Sequence, residues 1–110
     1  MRYPNRNRDG AIGTRTTVKK DGVVVKDESK KRAVPTSGEG LTHSVGTSAS
    51  IGHGRDYGSS KFEVACWVTM PCAPGAENSV LDECRSVVYE RLTAMRDEVA
   101  EQFFPDIDSW

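Results

Sequence analysis

The chain has 110 residues, of which 36% are hydrophobic and 28% charged, with a formal net charge of −1. That length holds one domain at most, and the composition is lean for a globular protein without being that of a chain disordered throughout. No run of 18 apolar residues occurs, which excludes a membrane-spanning helix, and no apolar segment follows the basic start, so no secretion signal is expected. The small net charge is a cancellation. Residues 1–37 carry ten Lys/Arg against four Asp/Glu, and residues 38–110 carry five against twelve, so a basic arm of +6 precedes an acidic body of −7.

Residues 1–37 read as a basic flexible arm, largely extended or disordered. In MRYPNRNRDGAIG, Ile12 is the only large aliphatic residue, too little apolar surface to offset an ordering entropy of roughly 1–2 kcal/mol per residue. The exception lies between Thr14 and Lys26. There Thr16-Thr17-Val18 and Val23-Val24-Val25 flank Asp21-Gly22, a dipeptide suited to a tight hairpin turn. The stretch reads as a short hairpin or as an edge strand added to the body. Lys26 to Arg32 (KDESKKR) is a solvated charge run, and Val34 to Gly38 is the linker.

The body, 38–110, opens with a predicted hairpin over 41–70. Leu41, His43, Val45, Thr47, Ala49 and Ile51 share one face of a period-2 pattern, with a Ser-rich face opposite. Gly52 to Ser60 reads as a loop. A second strand from Lys61 to Met70 places Phe62, Val64, Cys66, Val68 and Met70 on one face and Trp67 on the other, and Pro71 is expected to stop it. From Glu77 the period becomes helical. Val80, Cys84, Val87, Val88, Leu92, Met95, Val99 and Phe103 form an apolar stripe, which Pro105 ends. A helix over 77–103 is roughly 40 Å long and can lie along a ten-residue strand of about 33 Å.

The predicted fold is therefore α+β: an antiparallel β-hairpin, with or without a third strand from the arm, packed on one long C-terminal helix. Two strands under one helix are marginal alone, and Trp67 falls on the uncovered face. Either the Val23–Val25 strand completes the sheet in a monomer, or two chains pair through a sheet edge or the helix stripe.

The candidate chemistry is sparse. GHGRDYG (52–58) has the look of a phosphate-cradling loop, but a strand follows it where a nucleotide fold needs a helix N-terminus. It reads as a hairpin turn whose tip, with His53, Arg55 and Tyr57, is free to touch a ligand. Cys66, Cys72 and Cys84 are odd in number and lack the paired spacing of a zinc site. They point to a reducing compartment, and Cys66 and Cys84 fall on predicted core faces, where a free cysteine acts as a small hydrophobe. No metal or other cofactor is expected. Ser, His53 and Asp56 can be assembled into a triad on paper, but a body of this size has little room for the buried acid and shaped pocket that a triad requires. The adjacent acids Asp82-Glu83 and Asp97-Glu98 diverge on a helix. No enzyme activity is expected.

Thr47 to Cys72, TSASIGHGRDYGSSKFEVACWVTMPC, followed by a long acidic amphipathic helix, resembles a group of small phage and prophage proteins. These share a strand, a Gly-containing turn with an aromatic, a Ser-Lys-hydrophobic strand closing on Pro-Cys, and one helix. Residues 42–104 fit that plan; the arm and the Trp-ended tail lie outside it. The resemblance implies the fold and a phage setting in a bacterial cytoplasm. The group has no established activity, so it transfers no catalytic residues.

The leading functional expectation is a non-enzymatic phage accessory protein that binds nucleic acid through its arm, within a replication or transcription assembly. Arg2, Arg6, Arg8, Arg15, Lys19, Lys20, Lys30, Lys31 and Arg32, with Arg55 from the turn, would neutralise phosphates and release counterions without reading sequence. Tyr3 adds one aromatic for stacking, short of a platform. The alternative is a protein-interaction module: an inhibitor of a host enzyme or defence system, or a virion component. It would use the acidic helix and the apolar residues Trp67, Phe104 and Trp110. The tail from Phe103 to Trp110 alternates acids and bulky apolar groups, resembling the acidic tips of bacterial single-stranded-DNA-binding proteins. The competing reading is that Phe103, Phe104 and Trp110 close the bottom of the core.

Overall fold

A computed structural model describes residues 10–35 and 40–107. The elements, in chain order, are β1 (Gly10–Lys20), β2 (Val23–Val34), β3 (His43–Arg55), a short turn at Asp56–Gly58, β4 (Ser60–Cys72) and α1 (Glu77–Phe103). The strands form a single antiparallel sheet in the order β2-β1-β4-β3, and α1 packs on one face of it. The fold is α+β with one long C-terminal helix over the predicted span. The sheet has four strands where the sequence predicts a hairpin with at most one more.

The difference comes from the arm, which composition predicts to be largely flexible. Residues 10–34 are two long strands, and β1 lies inside the sheet beside β4. Its few apolar groups suffice because they alternate. Ile12, Thr16 and Val18 lie opposite Val68, Val64 and Phe62 and are buried with them. Composition alone hides this, because burial on one face needs only every second residue to be apolar. The Asp21-Gly22 turn forms as its chemistry predicts. Both residues have positive φ, 51° and 82°, which a two-residue hairpin with matching twist requires. One residue beyond the turn, Val18 pairs with Lys26 and Lys19 with Val24, so Val25 is an extra residue in β2.

Two boundaries also differ. The predicted loop 52–60 shrinks to a turn around Asp56–Gly58, because β3 continues through Gly52, His53 and Gly54, paired with Glu63, Phe62 and Lys61. Pro71 does not end β4. It pairs with Ser44 one residue before the strand finishes. β1 pairing stops at Thr69, so Pro71 stands where β4 has a neighbour on one side only and its missing N–H costs little.

The core lies between α1 and the face carrying Phe62, Val64, Cys66 and Val68. Cys84, Val88, Leu92, Val99 and Ala100 face it from the helix. Ala100 takes an inward place that the predicted stripe omits, while Val87 turns out to solvent at 42% exposure. The chain then folds under the end of the helix. Phe104 is 1% exposed, its ring stacked 6.1 Å from Phe62, and Ile107 is buried too. Arg55 Nη1 donates to Asp106 Oδ2 at 2.9 Å and Lys20 Nζ to the Phe103 carbonyl at 3.2 Å, tying this segment to the strand ends.

Candidate functional site

The helix sits over β3 and β4 and barely reaches β1. Along the other half of the sheet it therefore leaves a groove of about 320 Å³, walled by β2 on one side and α1 on the other. Ile12, Thr14 and Thr16 of β1 make its floor. Residues of β2 at a spacing of two, Lys26, Glu28, Lys30 and Arg32, pair with Val18, Thr16, Thr14 and Ile12 and so share the helix side of the sheet. Arg91, Met95 and Glu98 of α1 face them. Glu28 accepts from Lys30 at 3.0 Å, and this contact, with Lys26 beside it, holds the Glu28 carboxyl below the usual range. Arg32 and Arg91 have no carboxylate within ion-pair distance among the described residues. The groove thus opposes cations across a gap, with only Glu28 and Glu98 against them, and an anion between the walls relieves that repulsion.

The opposite face of the sheet bears no helix and is floored by small residues. Gly46, Ser48, Ser50, Gly52 and Gly54 of β3 lie beside Thr69, Trp67, Ala65, Glu63 and Lys61 of β4. Trp67 is half-buried because its indole lies flat across Gly13. A Cβ at Gly13 would come within 2.1 Å of the ring, so only glycine permits this position. Lys31, at the edge of the groove, stands over the indole with Nζ 5.6 Å from the ring centroid. At the far end of the same face, Asp56, Tyr57 and Gly58 are all left-handed, with φ of 55°, 57° and 85°. Tyr57 is fully exposed there, in a conformation that a bulky residue adopts only under constraint.

The predicted site residues therefore disperse. Lys30 and Arg32 enter the groove and Lys31 turns to Trp67. Arg15 lies on the open face, 3.8 Å from Asp27, and Lys19 shares that face opposite Lys61. Lys20 and Arg55 do structural duty instead: Lys20 holds the Phe103 carbonyl, and Arg55 bridges Asp106 and also Asp56 at 3.6 Å. Phe104, expected to meet a partner, is core and out of any partner's reach. Arg2, Arg6, Arg8 and Trp110, with Tyr3 and much of the predicted linker, lie outside the described residues. Arg91 and Lys26 were missed. The signal for Lys26 was present, since Lys26, Lys30 and Arg32 keep strand parity; Arg91 carries no sequence cue to its place.

All three cysteines are buried, and burial pushes the Cys66 and Cys84 thiols above their ordinary value. Among the described residues no three His, Cys, Asp or Glu side chains gather as a metal site would need, and no helix is long and apolar enough to cross a membrane. Neither family models, nor curated proteins, nor solved structures give a match to this chain.

Proposed function

We propose that this chain is a non-catalytic protein that binds nucleic acid by its phosphates, along the β2 edge and the groove behind it. The observation that carries the reading is the row Lys26, Lys30 and Arg32 facing Arg91 across a gap that holds fewer carboxylates than cations. Around the edge, Lys31 and the half-exposed Trp67 offer a cation and a stacking surface to the same strand of nucleic acid. The phage setting rests on the resemblance of residues 42–104 alone.

Removing residues 1–37 is not a clean test, because it deletes two of the four strands. Point substitutions are, since Lys30, Arg32 and Arg91 are exposed. Fluorescence anisotropy with labelled single- and double-stranded oligonucleotides, titrated with salt, should show affinity falling steeply as salt rises. K30A/R32A/R91A should weaken binding by at least about tenfold and flatten the single-strand salt slope by about 2. Binding indifferent to salt, or unchanged in the triple variant, would overturn the reading.

The second reading, a protein-interaction module, rests on the outer side of α1, where Glu83, Glu90, Asp97 and Glu101 are all exposed. A partner retained from a host lysate after exhaustive nuclease treatment, and lost when these acids are changed to Gln, would favour it.

A further inference from the structure

The two edges of the sheet are unlike. β2 carries Lys26, Lys30, Lys31 and Arg32 and the extra residue at Val25, devices that keep one sheet from pairing with another. β3 forms the other edge with the sequence HSVGTSASIGHGR, in which no Asp, Glu, Lys or Pro occurs and the only charged residue is the last, Arg55. A thirteen-residue edge without a guard is a template for another strand.

We propose that β3 pairs antiparallel with β3 of a second copy of this chain, joining two four-stranded sheets into one of eight strands about a two-fold axis. The position of the helix favours a second copy as the occupant. α1 packs about equally on β3 and β4, so its axis lies about half a strand spacing inside β3. With strands about 4.8 Å apart, pairing β3 with its symmetry mate places the two α1 axes about 10 Å from each other, which is the distance at which helices pack. A lone peptide added to the edge would leave that flank of α1 bare.

The same axis serves both elements. α1 begins beside His43, which pairs with the Cys72 end of β4, and finishes beside Arg55, which holds Asp106. It therefore runs parallel to β3, and the midpoints of the two spans are Glu90 and Ala49. A dyad at Ala49 thus passes close to Tyr89. At about 100° per residue, the inward residues Val88, Leu92 and Val99 stand between the β2-facing Arg91 and the opposite flank with Tyr89 and Arg96. Tyr89 is 73% exposed on that flank. Asp82 and Arg96 lie seven residues either side of it, so an antiparallel helix pair sets Asp82 of each chain against Arg96 of the other.

Analytical ultracentrifugation of the full chain at micromolar concentration is expected to give twice the 12.1 kDa chain mass. In the proposed register Ser48 meets Ser50 of the second copy, so S48K/S50K sets lysines against each other and should raise the dimer dissociation constant at least about tenfold, with the circular dichroism of the fold retained. Should that variant not fold, Ala49→Cys decides the matter. The two Cα atoms come within about 4.5–5.5 Å in such a pair, so mild oxidation should link two chains. A single-chain mass for the wild type, a dimer indifferent to S48K/S50K, or failure of A49C to cross-link would overturn the proposal.

Discussion

Gly13 shows how much a single missing side chain can decide. The indole of Trp67 needs a flat bed on the open face, and Gly13 opposite it in β1 supplies one. A methyl group there cannot coexist with the ring, so Gly13→Ala must swing Trp67 into solvent at a cost of about 1–3 kcal/mol. Urea unfolding should show that loss. In a Trp110→Phe background, native-state emission should shift to the red as the indole leaves Gly13. The contact was not legible in the sequence. Glycine in a strand reads as a weakness, and only strand pairing reveals what lies over it. Trp67 itself was placed on the uncovered face by parity alone, and the structure puts it there.

Among the elements, α1 was the most legible. Its span follows from a helical period and a closing proline, both local properties. What anchors it was less so. Phe104 stands outside the helix and fills the gap beside Phe62 at the strand ends. It is expected to hold the helix C-terminus in place, so Phe104→Ala should cost about 3–5 kcal/mol. Hydrogen exchange should rise first near residues 99–107, while the β1–β2 hairpin keeps its protection. Equal loss of protection throughout the chain would show that this end is not a separate anchor. The β1–β2 hairpin taught the reverse lesson. Its turn was visible in Asp21-Gly22, but its length was not, because a strand that borrows most of its burial from its neighbour needs few apolar residues of its own.

At the scale of the molecule, the charge is laid out across the sheet. The groove and β2 edge are basic, the outer side of α1 is acidic, and β3 is nearly uncharged. In the proposed two-fold assembly the basic edges fall at the two far ends of the joined sheet. The pH response also belongs to the whole fold, because the Cys66 and Cys84 thiols sit in its one core. Burial raises both above the ordinary thiol value. A raised thiol stays protonated in the folded state while the unfolded chain ionises, so stability is full below about pH 8.5 and declines as pH rises beyond it. Denaturation midpoints measured from pH 7 to 10 should fall over that window. They should level out in C66A/C84A, once its lower overall stability is taken into account.

The sequence by itself determined what depends on neighbours along the chain: the helix span, the parity of β3 and β4, the Asp-Gly turn and the split of charge between the two parts. The tertiary structure alone decided that the basic segment is half the sheet, that Arg91 completes the groove while Arg55 and Lys20 are tethers, and that one edge is guarded and the other open. The reason is physical. Period and turn chemistry are written within a few residues, whereas strand order, and with it the choice of which side chains meet, is set by pairing between segments tens of residues apart. The −1 of the whole chain conceals the molecule's main asymmetry, which appears only once the strands are placed side by side.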